Sequence, residues 1–381
     1  MKQLVSQIRS CLTDNILPYW ARLQDPVRGG FYGQVTGKEV LVPDAPRGAI
    51  LNARILWTFA AAYRLLGDTE YRHIAERQYG YFVDHFIDPV HGGVYWSITA
   101  DGQPLDTHKQ TYAQAFALYA LAEYAQINAD ALPLAIRLFL TMEQHTADPL
   151  YGGYIEGLTA DWKPLDDMRL SDHDKNTAKS QNTHLHVLEA YTALYRVWSD
   201  PVLKSKIQAL HTIFRDYLMD INTHHINLFF NLDWSLASDE ASYGHDIETS
   251  WLMDEALTAI GERDDDFVWQ VGRAADEGLN SDGSLRYETH DANIQWWVMA
   301  EAVVGYFNLY TRFGNPQDLA HAKAAWHYID THLIDHQHGE WYWDCAPDGT
   351  PNTTNDKAGF WKCPYHNARM CMEIITRLNA Q

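Results

Sequence analysis

The chain has 381 residues and a formal net charge of -21, from 50 acidic and 29 basic side chains. This charge repels polyanions, so the composition argues against nucleic acid and anionic membrane surfaces as partners and suits a neutral substrate. Four scattered cysteines form no zinc-type pattern, and no run of about 18 apolar residues could span a bilayer. The N-terminus lacks a signal-peptide pattern. Together these features predict a soluble cytoplasmic protein with reduced thiols and no metal site.

A segment rich in glycine and aromatic residues returns at intervals of roughly sixty residues. Its copies lie at 28–33, 91–96, 151–156, 226–231, 282–287 and 338–343. Glycine permits a tight turn, and the alternating aromatic residues are typical of a short strand. A period of this length indicates a repeat architecture.

Two kinds of predicted helix alternate between these segments. The first kind is apolar nearly all round and is therefore expected to be buried on most sides. Its members begin near Arg47, Lys109, Lys179, Tyr243, Asp291 and Asp356. The second kind is amphipathic. Its members begin near Lys2, Thr69, Ala131, Pro201, Asp264 and Pro316.

Six buried helices alternating with six amphipathic ones predict an all-α fold of two concentric rings. This is an (α/α)6 barrel of twelve helices, with short strand elements in the connecting loops and a single domain over residues 1–381. The long connections would gather at one end of the barrel and build a pocket over the inner ring. An open α-solenoid is the alternative, but the short terminal overhangs and the lack of polar caps favour closure.

The first polar residue that stands out on a predicted inner helix is Arg54, within the apolar stretch 51–57. A buried arginine needs a partner or a ligand. It would either form a structural ion pair or face the pocket.

The third inner helix carries Asn182 and His186, which are four residues apart and therefore lie on one face. Glu189 extends that face by three positions. His184 points elsewhere and is interpreted as structural. His186 itself is either a hydrogen-bonded core histidine or a pocket residue.

The fourth inner helix places His245, Glu248 and Trp251 at i, i+3 and i+6, so they stack on one face. A titratable histidine, a carboxylate and a large ring on one face could position, protonate and deprotonate a sugar. The alternative is a buried histidine satisfied by the neighbouring Glu248.

The last two inner helices repeat this pattern. Trp297 and Glu301 are again four residues apart, and a tryptophan face suits the C–H surface of a sugar, although paired tryptophans also occur in plain cores. Trp361 and His366 flank Pro364, which favours the first turn of a helix. At a helix N-terminus the macrodipole disfavours imidazolium and helps to keep His366 neutral. A capping role is the alternative for this histidine.

Several inner-helix faces with arginine, histidine, glutamate and tryptophan indicate one shared pocket. Histidine is the side chain suited to proton exchange near neutral pH. Glycoside hydrolysis would instead need two carboxylates across a glycosidic bond, which Glu248 and Glu301 could supply.

These residues resemble the N-acylglucosamine 2-epimerase superfamily, most closely its cellobiose 2-epimerase branch. The matching segments are 51–59, 182–192, 243–252, 297–301 and 361–373. The stretch 361–367 is the most specific of them. Tyr243, where phenylalanine is expected, and Ala368 are small departures. The family fold is the (α/α)6 barrel, in agreement with the repeat.

The resemblance implies an isomerase that inverts C2 of the reducing-end sugar of β-1,4-linked disaccharides, without metal or nucleotide cofactor. Cellobiose, lactose and mannobiose are the implied substrates. By similarity, His186 assists ring opening, Arg54 stabilises a cis-enediolate, and His245 and His366 exchange the C2 proton on opposite faces. Which histidine acts as the base depends on the direction of reaction.

The resemblance also implies supporting roles. Residues expected to bind hydroxyls or supply apolar walls are Asn182, Glu248, Glu301, Trp297, Trp361 and Trp251. His173 and Asp174 are expected to reach the pocket from the loop 171–176. The partner is the disaccharide itself, and the chain is expected to be a monomer or weak homodimer. A monosaccharide aldose–ketose isomerase, an N-acylglucosamine 2-epimerase and a non-catalytic carbohydrate-binding barrel remain as alternatives.

Overall fold

The computed structural model describes residues 1–172, 174–238 and 240–379, and most of them are helical. The inner helices are α3 (Ala49–Leu66), α5 (Thr111–Ala125), α7 (Gln181–Val197), α9 (Tyr243–Ala259), α11 (Trp296–Phe313) and α13 (Tyr365–Asn379). The outer ring contains α1 (Lys2–Ser10) and α2 (Leu17–Ala21), joined by π-helical turns at Cys11–Ile16, then α4 (Thr69–Phe86), α6 (Leu132–His145), α8 (Pro201–Ile213), α10 (Asp265–Ala274) and α12 (Pro316–Tyr328). In these described ranges no helix is long and apolar enough to cross a membrane.

The inner ring is closed. Each inner helix packs against the next one, and α13 returns to pack against α3. The apolar sequences explain this packing, since every residue of α3 from Ala49 to Ala62 is buried. The predicted (α/α)6 barrel is therefore confirmed, and the open solenoid is excluded.

Most predicted helix starts agree with the structure to within two residues, and two inner helices are the exceptions. α11 begins at Trp296 rather than near Asp291, and α13 begins at Tyr365 rather than near Asp356. The residues before these helices pair with other parts of the chain instead of continuing the helix. Ile294 pairs with Cys345, and Ala358 pairs with Val35.

Short strands connect the repeats at the end of the barrel where the inner helices begin. They are β1 (Arg47–Gly48), β2 (Ser97–Ile98), β3 (Pro104–Asp106), β4 (Lys109–Gln110), β5 (Gly157–Leu158), β6 (Lys179–Ser180), β7 (Phe229–Phe230), β8 (Ile294–Gln295) and β9 (Asp344–Cys345). The antiparallel pairs β1–β2, β4–β5, β6–β7 and β8–β9 each join the start of an inner helix to the loop after the next outer helix. Before α9 and α13 the same connection is made by a single bridge. The bridges are Ser242 to Glu288 and Val35 to Ala358, respectively.

The glycine and aromatic segments were expected to form a tight turn followed by a short strand. The turns are confirmed, and in most copies the strand is reduced to a single bridge. The segments form tight turns closed by single bridges, for example Gln24 to Phe31 and Ile87 to Val94. Gly92 and Gly93 both have positive φ, so the backbone bends before an extended run can form. Only Phe229–Phe230 lies in both a predicted segment and a strand.

An aspartate organises four of these turns in the same way. One carboxyl oxygen accepts the backbone N–H groups two and three residues later, as Asp88 does from Val90 and His91. The other oxygen binds a buried cation from the segment that leads into an inner helix. These pairs are Asp25–Arg47, Asp88–Lys109, Asp148–Lys179 and Asp335–Lys357, with N–O distances of 2.6, 2.7, 2.7 and 2.8 Å. Each pair therefore fixes a turn to the start of the next inner helix.

Candidate active site

A cavity lies at the N-terminal ends of the inner helices. Its inner part has a volume of about 310 Å³, and a second part of about 420 Å³ continues outward from it. The two parts share Leu170, Asp174, Asn182, His245 and Tyr287 among their walls. They therefore form one cleft.

Most residues predicted for the site line the inner part of this cleft. These are Arg54, Asn182, His186, His245, Glu248, Trp297, Trp361 and His366. Asp174 also lines it, as predicted for the loop above the pocket. His173 lies outside the described residues. The structure thus brings together side chains from α3, α7, α9, α11 and α13.

Arg54 is buried in the cavity wall, and its guanidinium is incompletely paired. Its Nη2 donates to the Tyr112 hydroxyl at 2.9 Å, and its guanidinium lies 4.0 Å from the centre of the Phe116 ring. Among the residues that the structure describes, no carboxylate forms an ion pair with it, so the structural ion-pair interpretation is not supported. A buried cation with only a hydroxyl, a thiol and aromatic partners can stabilise a negative charge in the cavity.

His186 is oriented by a carboxylate below it. Its Nδ1 lies 2.9 Å from Glu189 Oε2, and its ring packs against Tyr112 and Phe116. Burial lowers the pKa of His186, and the nearby Glu189 only partly opposes this. A proton held on Nδ1 toward Glu189 leaves Nε2 as the nitrogen available to the cavity.

His184, by contrast, is a structural residue, as predicted. Its Nδ1 bonds to the Ser180 carbonyl at 2.6 Å, and its Nε2 accepts the Tyr154 N–H at 2.9 Å. Both ring nitrogens are therefore used within the protein.

His245 and His366 contact the same tryptophan, with ring centres 5.0 and 5.6 Å from that of Trp297. Burial, reinforced by His186, lowers the pKa of His245 to about 3. Burial and the nearby arginines likewise hold the pKa of His366 well below its usual range. Both imidazoles are therefore neutral near neutral pH, which is the form that can accept a proton.

His366 and His245 differ in the hydrogen-bond partner of Nδ1. His366 Nδ1 lies 2.6 Å from Glu301 Oε1, so its other nitrogen is free to act toward the cavity. His245 Nδ1 is buried without a hydrogen-bond partner in the described part of the chain. A buried nitrogen without a partner is costly unless a ligand completes it.

Glu301 and Trp251 depart from the expected placement on the cavity wall. Trp251 Nε1 donates to Glu301 Oε2 at 2.9 Å, and each residue is only 1% exposed. Glu301 lies behind His366, and Trp251 lies deeper along the barrel axis. α9 rises about 1.5 Å per residue, so Trp251 lies about 9 Å below His245. Both residues support the site from beneath.

Arg369 is a central residue that the sequence analysis did not single out. Its Nη2 binds Glu248 Oε1 at 2.8 Å and Glu301 Oε1 at 2.6 Å, and its Nη1 pairs with Glu189. Burial alone would raise the pKa of Glu189, but Arg369 lowers it to about 2. Arg369 follows His366 by three positions on α13, so the same helix-face argument could have found it.

Three side chains at the base of the cavity could supply ligand atoms to a cation. Atoms of Glu248, Glu301 and His366 lie within 4.8 Å of one another. The guanidinium of Arg369 already lies among them, at 2.8 and 2.6 Å from the two carboxyls. The guanidinium of Arg369 therefore supplies the positive charge that balances this cluster.

The carboxyl pair does not suit glycoside hydrolysis. Only Glu248 lines the cavity, and both carboxyls bind the same nitrogen of Arg369. Hydrolysis requires two carboxyls that flank the scissile bond from opposite sides. The arrangement favours proton exchange by the two histidines.

The fold and the cleft are those of a carbohydrate-active (α/α)6 barrel. The family model of N-acylglucosamine 2-epimerase (GlcNAc 2-epimerase) matches residues 30–369. The cellobiose 2-epimerase of Bacteroides fragilis is 49% identical over 98% of both chains. That of Ruminococcus albus is 39% identical over 98% of this chain and 99% of its own.

A solved structure of a related protein also resembles the chain along its whole length. The cellobiose 2-epimerase of Bacillus thermoamylovorans superposes with a TM-score of 0.96 at 39% identity, covering 99% of this chain and 100% of its own. The chain therefore belongs to the N-acylglucosamine 2-epimerase family. It is a carbohydrate epimerase, within the isomerase class of enzymes.

Proposed function

We propose that the chain inverts C2 of the reducing-end sugar of β-1,4-linked disaccharides. Cellobiose would become glucosyl-mannose, lactose would become epilactose, and mannobiose would become mannosyl-glucose. The observation that carries the proposal is the pair of neutral histidines, His245 and His366, on one cavity with the incompletely paired Arg54. The names of the full-length relatives support cellobiose as a substrate.

Ring opening is the first step, because the proton on C2 becomes acidic only beside a free carbonyl. The O1 hydroxyl loses a proton, the C1–O5 bond breaks, and O5 gains a proton. His186 borders the cavity, and Glu189 holds its Nδ1. Its Nε2 can therefore accept and return the proton in this step.

The second step removes the C2 proton. One histidine takes the proton, the C–H electron pair forms the C1–C2 double bond, and the negative charge moves to O1. Arg54 stabilises this cis-enediolate, because its buried guanidinium has no carboxylate partner among the described residues. A preorganised cation at the site of developing charge is usually the largest single contribution to such catalysis.

The third step returns a proton to C2 from the opposite face. The second histidine, neutral at rest, first takes up a proton from solvent and then donates it to C2, so C2 is inverted. The first histidine releases its proton to solvent. The carboxylate of Glu301, 2.6 Å from His366 Nδ1, stabilises the imidazolium that forms there during one direction of the reaction. Each positioned acid or base contributes roughly 10²–10⁴ in rate.

The cleft has room for a second sugar beyond the reacting one. The reacting sugar would occupy the inner part, between Trp297 and Trp361, whose rings suit the apolar face of a pyranose. The outer part, about 420 Å³, would then take the non-reducing sugar. This division favours a disaccharide over a monosaccharide.

Product analysis tests the proposal. The chain is incubated with cellobiose, lactose, mannobiose, free mannose and N-acetylglucosamine, and the products are separated by chromatography and assigned by proton NMR. We expect the C2 epimer of at least cellobiose and little conversion of either monosaccharide. Fructose from mannose, or N-acetylmannosamine from N-acetylglucosamine, as the main product would contradict the proposal. Release of free glucose would indicate hydrolysis instead.

A further inference from the structure

Two buried carboxyls share one nitrogen of Arg369. Glu248 Oε1 and Glu301 Oε1 lie 2.8 and 2.6 Å from Nη2, and Glu189 pairs with Nη1. The three carboxyls are 1%, 1% and 5% exposed, respectively. A single guanidinium therefore faces three buried acids, and full ionisation of all three would leave excess negative charge away from water.

The hydrogen bonds to these acids are unequal. Glu301 accepts from Arg369, from His366 Nδ1 and from Trp251 Nε1. Glu189 likewise accepts from Arg369, from His186 Nδ1 and from the Tyr365 hydroxyl.

Glu248, in contrast, accepts from Arg369 and from no other group in the described ranges. Donors favour the ionised form of a carboxyl, so Glu248 is the acid least stabilised as an anion.

We propose that Glu248 holds a proton at neutral pH and meets the substrate as a hydrogen-bond donor, while Glu189 and Glu301 are ionised. The part that concerns substrate rests on the proposed function, because Glu248 lines the cavity and the other two acids lie beneath it. Burial and the adjacent Glu301 raise the pKa of Glu248 well above its usual range, in agreement with this arrangement.

Titratable and charged groups from four helices face Glu248. They are Tyr112 on α5, Glu189 on α7, Glu301 on α11, and Tyr365, His366 and Arg369 on α13. Arg369 is the only one of these that favours an ionised Glu248 directly, and it is shared with two other acids. The surroundings therefore favour the neutral acid.

A neutral Glu248 suits an anionic intermediate. An ionised carboxylate in the cavity wall would repel the enediolate, whereas an O–H group donates a hydrogen bond to a sugar oxygen. A carboxylic acid kept neutral by its surroundings is an established kind of oxyanion donor.

Glutamine substitutions identify the carboxyl that holds the proton. Glutamine has the shape of a protonated glutamate and keeps a donor, so the kcat of Glu248→Gln should be at least about tenfold higher than that of Glu248→Ala. Glu248→Ala removes the donor and should lower kcat by at least about 10².

Glu301→Gln is the matched control. It removes the charge that supports His366 and should also lower kcat by at least about 10². Equal losses in Glu248→Gln and Glu248→Ala would overturn the proposal.

A stability measurement tests the same assignment without reference to activity. At pH 7 the denaturation midpoint of Glu248→Gln should equal or exceed that of the wild type, because one neutral donor replaces another and the variant takes up no proton on folding. Glu301→Gln loses an ionised acceptor of three donors and should have a lower midpoint. The opposite order would overturn the assignment, even in a chain that converts no sugar.

The pH dependence of stability tests whether the proton is present. A raised pKa in the folded state means that the wild-type unfolding free energy falls as pH rises above the ordinary glutamate range. Glu248→Gln lacks this fall, so its stability relative to the wild type should increase between about pH 5 and pH 8. A constant difference across that range would contradict a bound proton. If the midpoints and this trend agree but no sugar is epimerised, the proton assignment stands and the proposed function fails.

Discussion

Burial sets the protonation of the histidines that form the site. His245 lies among aromatic rings near His186, and His366 lies among aromatic rings near two arginines. Burial and these neighbours lower the pKa of each, so both are neutral where an exposed histidine would be partly charged. Arg54 supplies a permanent positive charge that no carboxylate pairs with in the part of the chain that the structure describes. At the scale of single residues, the site combines neutral bases with one available cation.

Removal of either histidine tests its direct role in proton transfer. His245→Ala and His366→Ala should each lower kcat for cellobiose epimerisation by at least about 10², because each removes a positioned acid or base. The far-ultraviolet circular dichroism of both variants should match the wild type. His336→Ala is the control, because its side chain is 64% exposed and lies outside the cavity. A histidine variant that keeps more than a tenth of wild-type kcat would contradict its role.

Replacement of Arg54 distinguishes binding from transition-state stabilisation. Arg54→Ala should lower kcat by about 10²–10³, because it removes the charge opposite the enediolate oxygen. Steady-state kinetics with cellobiose measure the effect. A rise in KM with unchanged kcat would show that Arg54 binds substrate and transition state equally. Arg54→Lys keeps the charge but not the fork geometry, and it should lie between the alanine variant and the wild type.

Four of the six inner helices share a rule about which position reaches the cavity, whereas α3 reaches it with its sixth residue, Arg54. The second residue of α5, α7, α11 and α13 lines the cavity, namely Tyr112, Asn182, Trp297 and His366. α9 contributes its third residue, His245, because a glycine occupies the second position. This regularity follows from the pseudo-sixfold arrangement, and it would have identified Tyr112 once the helix starts were known.

The buried ion pairs hold each turn to the next helix, so their loss should affect stability more than chemistry. Lys109→Met leaves Asp88 buried and unpaired, and should cost about 3–5 kcal/mol in unfolding free energy. The double variant Asp88→Asn, Lys109→Met removes the uncompensated charge and should recover part of that loss. Denaturant titrations of the two single variants and the double variant measure the coupling. A double variant less stable than Lys109→Met alone would contradict this explanation.

Glu156 makes the stability of the α7 start depend on pH. Its two oxygens accept from the Ser180 N–H and the Thr183 hydroxyl, each at 2.7 Å, and burial raises its pKa to about 7. A folded pKa above the unfolded one means stability is greatest at low pH and falls as pH rises from about 4.3 to about 7.

The test compares Glu156→Gln with the wild type by denaturation at about pH 5 and about pH 7.5. The variant should lose less stability than the wild type over this interval. The exposed substitution Glu76→Gln serves as control and should follow the wild type. Parallel curves for wild type and Glu156→Gln would refute the raised pKa.

At the scale of the whole molecule, closure of the ring creates the site. α13 packs against α3, so Cys363 and Arg54 meet although they are 309 positions apart in sequence. Arg369 likewise joins carboxyls from α7, α9 and α11. The cavity floor therefore exists only when all six inner helices are in place.

Because the site depends on contacts between helices that are distant in the chain, only part of it could be predicted from the sequence. Periodicity identified the twelve helices and the faces that carry Arg54, His186, His245 and His366. Periodicity assigns a residue to a face but not to a depth, so Trp251 and Glu301 were expected at the cavity and lie beneath it. The ion pairs of Arg369 connect four helices. Contacts between helices that are distant in the chain leave no local pattern in a single sequence.

The central claim is that one proton leaves C2 and another returns from the opposite face. Incubation of cellobiose with the enzyme in D2O, followed by proton NMR of the epimer, measures it directly. We expect glucosyl-mannose with deuterium at C2 from the wild type, and no glucosyl-mannose from His366→Ala. An epimer that keeps the original hydrogen at C2 would contradict deprotonation by histidine and would require another route of inversion.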